Sequence, residues 1–236
     1  KHPIEGCVSR NKDGDIQYNI STIRISSLDD IPSPYQNGMM DKFFDGKLTP
    51  MLQTNRGCPF HCTFCTDGRD EVNRVNQFSI KRVQSDINYI AKHIPENTHS
   101  LHISDLNFGM YPRDIDICEE LAKIQHDYNY PKYIECSTGK NSKDKIIDAL
   151  KILNGALRMN LSVQSTEESV MVNVKRANIS TEQMLALVPT LKECNLPTVT
   201  EIIIGLPGDT YDSNIKTIKD MMSLDVDEYL IYTTYA

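Results

Sequence analysis

The chain has 236 residues, 39% of them hydrophobic, and carries a formal net charge of −7 with a pI near 5.4. That acidity argues against nucleic-acid binding through a broad basic surface and leaves at most a local basic groove. No apolar run reaches the roughly 20 residues needed to cross a bilayer, and the length suits one substantial core, since α/β barrels reach about 250 residues as a unit.

There is no charged-then-apolar leader, so a cytoplasmic location is expected. Lys1-His2-Pro3 lacks an initiator Met and is expected to be a boundary within a longer protein. Of the seven cysteines, three lie within residues 58–65. Thiols this close cannot staple distant parts of a chain, and without export signals they read as metal ligands.

Residues 1–47 read as an arm or linker entering a domain that fills 48–236. Asn11-Lys12-Asp13-Gly14 is a hairpin-type turn between β-prone pieces, and Pro32 and Pro34 impose extended backbone further on. Thr49–Thr54 is the expected first barrel strand. Ile80, Val83, Ile87, Ile90 and Ile94 then recur at helical spacing. Ser100–Ser104 is the second strand, followed by a helix opening at Pro112, where a missing N–H is harmless. That helix is expected to bury Ile115, Cys118, Leu121 and Ala122.

Lys132–Cys136 is the third strand, and 143–153 a helix capped by Ser142. Ala156–Val163 is the fourth strand. Ser180-Thr181-Glu182-Gln183 fits a capping box for the next helix, which Pro189 is expected to kink or break. Thr198–Ile204 has the β-branched run of a strand buried on both faces. A helix marked by Ile215, Ile218 and Met222 and a last strand over Glu228–Thr233 complete the string. Six βα-type units imply a parallel sheet flanked by helices, as a partial barrel; an open doubly wound sheet gives the same pattern.

The strongest chemical signal is Gly57-Cys58-Pro59-Phe60-His61-Cys62-Thr63-Phe64-Cys65, directly after the first strand. Active sites of such folds sit at that end of the strands. Three thiolates spaced CxxxCxxC can bind three irons of a cubane and leave the fourth open to a small molecule, unlike a four-cysteine electron-transfer cluster. The alternatives are a zinc site completed by His61, or three unrelated buried cysteines.

This motif, with an aromatic residue before its last cysteine and a βα barrel around it, resembles the radical SAM superfamily. The resemblance covers residue 48 to the C-terminus. It implies an α/β fold, a partial (β/α)6 TIM-like barrel with an N-terminal extended arm, and a [4Fe-4S] cluster on Cys58, Cys62 and Cys65. It further implies that the open iron binds S-adenosylmethionine (SAM), whose reductive cleavage yields a 5′-deoxyadenosyl radical. An electron donor such as flavodoxin or ferredoxin and a small-molecule substrate follow from the same resemblance. A non-catalytic Fe–S or zinc scaffold is the rival, and the two differ in whether the fourth metal position is open.

The same resemblance assigns individual SAM contacts. Gln164, with Arg176 twelve residues later, is similar to the Gln and Arg that contact SAM in oxygen-independent coproporphyrinogen oxidase-like members, and Glu135 matches an acidic position there. A guanidinium suits a carboxylate; the plain alternatives are a surface arginine beside Lys175 and a solvated carboxylate. Glu201 opens a segment, through Gly205-Leu206-Pro207-Gly208, that resembles the fifth-strand region. Glu201 would bind the ribose, and Gly205 would admit the adenine. Phe64 would line the adenine pocket or pack in the core. Where many members carry a Gly-Gly-Glu-like segment, this chain has Ser104-Asp105-Leu106-Asn107-Phe108. That stretch is similar to an Asp-Asp-x-Phe-like pattern of the cobalamin-associated branch, with Asp105 a polar SAM contact. Residues 28–35 are similar to the linker after that branch's cobalamin domain, so cobalamin would come from a domain outside this chain. The implied reaction is methyl transfer or cyclisation.

Cys118 and Cys194 are expected in the core or half-buried, Cys136 as a minor candidate near the site, and Lys140, Lys143 and Lys145 as a solvated helix start.

Overall fold

The computed structural model describes residues 4–20, 25–70, 73–139, 143–176 and 181–234. The hairpin turn forms as the sequence implies: β1 (Val8–Arg10) pairs antiparallel with β2 (Ile16–Tyr18). The Asn11 side chain closes the turn by accepting from the Asp13 and Asp15 amides. The rest of the N-terminal segment is tied down. Leu28 and Tyr35 join the main core, the Ser33 hydroxyl donates to buried Asp86 at 2.6 Å, and the Tyr35 hydroxyl donates to the Met51 carbonyl at 2.6 Å.

The parallel strands are β3 (Met51–Leu52), β6 (Ser100–Phe108), β7 (Tyr133–Thr138), β8 (Met159–Asn160), β9 (Thr198–Ile204) and β10 (Glu228–Thr233), with the short antiparallel pair β4 (Asn55–Arg56) and β5 (Asn76–Gln77) beside them. The helices are α1 (Ile80–His93), α2 (Asp114–Tyr128), α3 (Lys143–Ile152), α4 (Glu168–Asn173), α5 (Thr181–Glu193) and α6 (Tyr211–Ser223). Two three-stranded parallel sheets, β3-β6-β7 and β8-β9-β10, are joined by a parallel bridge between Ile134 and Leu157. The strands therefore follow one another around an arc that does not close, a partial barrel. Alternate residues of β6 and its neighbours (Leu101, Ile103, Ile134, Leu157, Met159) pack with Ile117, Leu121 and Leu150 of the helices into one core. No helix among the described residues is long and apolar enough to cross a membrane.

The differences from the sequence expectations have local causes. The first strand is cut to Met51–Leu52 because the Asp105 carboxylate takes the Thr54 and Asn55 amides out of the ladder. The fourth strand, expected over 156–163, keeps regular pairing only at Met159–Asn160. Beyond it Ser162 and Gln164 have φ of 40° and 59°, and Asn160 Oδ1 accepts from both the amide and hydroxyl of Ser162. Left-handed backbone is uncommon outside glycine and collects at functional sites.

α2 begins at Asp114 rather than Pro112, since Asp114 accepts from the Gly109 and Tyr111 amides in the turn before it. α5 runs unbroken through Pro189, which is exposed. On α6 Asn214, Thr217 and Met221 are buried and Ile218 packs against the core as expected, while Met222 is exposed. Thr217 is sheltered because its hydroxyl accepts from the Thr166 amide and donates to the Ser213 carbonyl. Ser142, Lys140 and Ser180 fall outside the described residues.

Candidate functional site

The cysteine loop leaves β3 at the C-terminal end of the arc and turns sharply, with Gly57 at a φ of 95°. Cys58 and Cys62 are buried and Cys65 is half-buried. The loop is wound tightly, the Cys65 amide donating to the Cys62 carbonyl and the Gly68 amide to the Cys65 carbonyl, both at 3.1 Å. A Cβ at Gly68 would lie 2.3 Å from the Cys62 carbonyl oxygen, so only glycine fits there. The Thr63 amide donates to the Val174 carbonyl at 3.0 Å. Phe64 packs with Val170, Met171, Val174 and Leu206 in a small second core, which fastens the loop to the far end of the barrel.

Among the described residues no three His, Cys, Asp or Glu side chains converge as a single metal ion requires, and His61 is exposed, facing Asp70 and Asn73.

Arg176 is the hub of one side of the loop. The chain leaves α4 at Asn173, and the Arg176 amide donates to the Met171 carbonyl. The buried guanidinium lies 3.8 Å from Cys62 Sγ and donates to the Ser162 carbonyl. Burial lowers its affinity for the proton, opposed by Cys62, Glu201 and Cys58. The Ser162 hydroxyl lies between Asn160 Oδ1, at 2.6 Å, and Glu201 Oε2, at 3.0 Å, and its single proton is shared between these two acceptors. Gln164 sits on the adjoining left-handed turn. Its amide donates to the Glu201 carbonyl at 2.7 Å, its carbonyl accepts from Ile203, and its Oε1 is buried without a partner among the described residues. Cys62, Arg176, Gln164 and Glu201 are thus one connected group.

The other predicted residues lie differently. Glu135 is exposed beside His102 at 3.6 Å and shares with Asp105 and Glu201 a cavity of about 500 Å³ inside the arc, also lined by Arg158 and Asn160. Asp105 is buried with both oxygens engaged: one accepts from the Thr54 amide at 2.8 Å, the other from the Thr54 hydroxyl and Asn55 Nδ2. Burial raises its pKa, and the bonds from Thr54 and Asn55 oppose that. Gly205 is exposed at the end of β9 with a φ of 83°.

Sequence reading missed several members. Lys143 is not a solvated helix start: it is half-buried, donates to the Gly139 carbonyl at 3.1 Å, and burial followed by Arg176 brings its pKa down to about 8. Asn107 is buried with Nδ2 3.3 Å from Cys58 Sγ. Asp114, buried beside Asp105, has its pKa raised to about 6. None of these had a spacing signal; they meet only when β6 and α3 close on the loop. Cys118 is fully buried and Cys194 is exposed, against expectation for the latter. Cys136 is half-buried, and burial with the nearby Asp105 and Asp114 keeps it a thiol.

The donor set suits the implied cofactors. Asn107 Oδ1 and Gln164 Oε1, buried acceptors with no partner among the described residues, ask for a ligand that carries hydrogen-bond donors, and two neighbouring cations, Arg176 and Lys143, ask for an anion.

The radical SAM superfamily model matches residues 52–221. This chain belongs to that superfamily. Its enzymes use a [4Fe-4S] cluster and SAM. Over 196 residues the chain is 34% identical to the cobalamin-dependent radical SAM methyltransferase TokK of Streptomyces tokunonensis, which covers 79% of this chain and 28% of that protein. Over 185 residues it is 35% identical to the 2-(S-pantetheinyl)-carbapenam-3-carboxylate methyltransferase of Streptantibioticus cattleyicolor, with 75% and 27% covered. The chain therefore spans less than a third of these relatives. The fold is shared with the cobalamin- and [4Fe-4S]-bound radical SAM methyltransferase TsrM of Kitasatospora setae, at a TM-score of 0.65 and 17% identity over 78% of this chain and 36% of that one.

Proposed function

We propose that residues 48–236 are the catalytic core of a cobalamin-dependent radical SAM methyltransferase, with 1–47 a linker from a cobalamin-binding domain. When bound, the cluster and SAM supply one-electron cleavage of a sulfonium and a carbon radical, and cobalamin supplies a methyl carrier.

The chain's own residues have the following parts. Cys58, Cys62 and Cys65 hold three irons. Arg176 and Lys143 receive the SAM carboxylate, Gln164 accepts from a donor through Oε1, and Glu201, oriented by Ser162, accepts from the ribose hydroxyls. Gly205 and Phe64 bound the adenine side, while Glu135 borders the cavity in which substrate sits. Asp105 acts as a positioning residue, holding Thr54 and Asn55 at the root of the cysteine loop.

The observation that carries this reading is the unbroken path Cys62–Arg176–Ser162–Glu201. A scaffold that merely binds metal has no use for a buried guanidinium tying a cysteine to a carboxylate on another strand. The methyl-transfer part rests on the relatives. Anaerobic reconstitution with iron and sulfide, then SAM and dithionite, is expected to give 5′-deoxyadenosine and a SAM-dependent change in the cluster's EPR signal. Cys62→Ala should abolish both. A chain that takes up zinc in preference, or a cluster whose spectrum ignores SAM, would sink the reading.

A further inference from the structure

Asn107 has no part in the roles above, yet it is among the most enclosed polar side chains of the molecule, 1% exposed. It is rigidly held: it is the penultimate residue of β6, before fully buried Phe108, its carbonyl accepts from the Met110 amide at 3.3 Å, and the following turn is pinned by Asp114 bonded to the Gly109 amide. Its side chain reaches back across the barrel end, placing Nδ2 3.3 Å from Cys58 Sγ. The orientation follows from chemistry. A thiolate that ligates iron accepts hydrogen bonds and cannot donate, so the NH2 group, not the carbonyl oxygen, must face it.

We propose that Asn107 donates a hydrogen bond to the Cys58 ligand and thereby raises the reduction potential of the cluster. This rests on the cluster assignment above. An N–H aimed at a ligand sulfur withdraws electron density and favours the reduced, more negative cluster; hydrogen bonds to sulfur are among the levers that set such potentials. Asn107 is thus a positioning and tuning residue acting through Cys58. A residue placed only for packing would not be an amide with its oxygen left without a partner, as Oδ1 is among the described residues. The neighbouring Arg176 guanidinium, 3.8 Å from Cys62 Sγ, would act in the same direction on a second ligand, but its charge and its bond to Ser162 make it a less clean test.

The test is an EPR-monitored redox titration of the reconstituted chain and of Asn107→Leu and Asn107→Gln, with iron and sulfide content measured for each. Asn107→Leu, similar in shape and without a donor, is expected to shift the reduction equilibrium roughly three- to tenfold towards the oxidised cluster; tenfold is about 59 mV for one electron. Asn107→Gln keeps the donor and should stay nearer the wild type. A fully loaded Asn107→Leu with an unchanged midpoint overturns the proposal and leaves Asn107 a packing residue. Should Asn107→Leu hold no cluster, the wild type still decides. Reduced protein labelled with 15N at asparagine should show a weakly coupled nitrogen in pulsed EPR that changes with the label, and its absence overturns the proposal. A wild-type chain that forms no cluster at all overturns the cluster assignment itself.

Discussion

The two flanks of the cysteine loop are built on opposite principles. On the α4 side, Arg176, Ser162 and Glu201 form a chain in which each group has its partner, and Gln164 Oε1 alone on that side stays without one among the described residues. On the β6 side, Asn107, Tyr111, Arg113 and Asp114 each keep a buried side-chain atom with no partner among the described residues. Buried polar groups are normally satisfied. The first flank is therefore preorganised and should hold its shape with or without cofactor. The second is held under unmet hydrogen-bonding demand, and ligand or protonation should change it most. Tyr111 reports the same tension, its pKa pushed up to about 12 by burial and then by Cys58.

Both flanks share the cysteine loop, and disturbing it should have the largest effect. Gly68→Ala sets a methyl 2.3 Å from the Cys62 carbonyl oxygen, a backbone atom that cannot swing aside. Most of the bound iron and sulfide should be lost. Gly14→Ala, whose Cβ meets nothing within 4 Å, should cost only local backbone strain and keep the cluster. Iron and sulfide content and the visible absorption of the bound cluster check this. Equal iron in both variants would mean the loop is looser than its packing implies.

On the preorganised flank, Arg176→Lys keeps one charge and loses the fork. The missing charge-assisted bond corresponds to about 1.5–3 kcal/mol, so SAM affinity should weaken roughly ten- to a hundredfold. Anaerobic calorimetry measures this beside a thermal melt. A lower melting temperature with unchanged affinity would make Arg176 a strut between Cys62 and Ser162 and nothing more.

These flanks were unequally legible from the sequence. The cysteine spacing announced itself, and the β-branched run of β9 and the long helices followed from periodicity. Gln164, Arg176 and Glu201 were reachable because a resemblance carried them. Asn107 and Lys143 were not: an asparagine near a strand end and a lysine near a helix start have solvated explanations until tertiary contacts bury them. The same holds for strand ends. Thr54 reads as the end of a strand, and only the Asp105 carboxylate arriving from β6, a partner 51 residues away, removes it from the ladder. Ser162 reads as strand too, and the Asn160 side chain, accepting from its amide and hydroxyl, holds it left-handed. Local propensity cannot see such distant or side-chain-driven competition.

The unsatisfied flank is tested by its pH dependence. Asp114 is fully buried, and burial, the first cause, with Asp105 adding to it, raises its pKa from 3.8 to about 6. Because this carboxyl is raised, the folded chain binds a proton between about pH 4 and 6 that the unfolded chain has released. Its contribution to stability is therefore most favourable below that window, declines as pH rises through it, and is flat above about pH 6. Asp114→Asn can still accept from Gly109 and Tyr111 while removing the charge. Wild type relative to Asp114→Asn should accordingly lose up to about 3 kcal/mol between pH 4 and pH 7.5, read from urea unfolding of the two proteins. A difference independent of pH would show that Asp114 is charged without penalty. The unmet demand of the flank opposite Arg176 would then lie in Asn107, Tyr111 and Arg113 and not in Asp114.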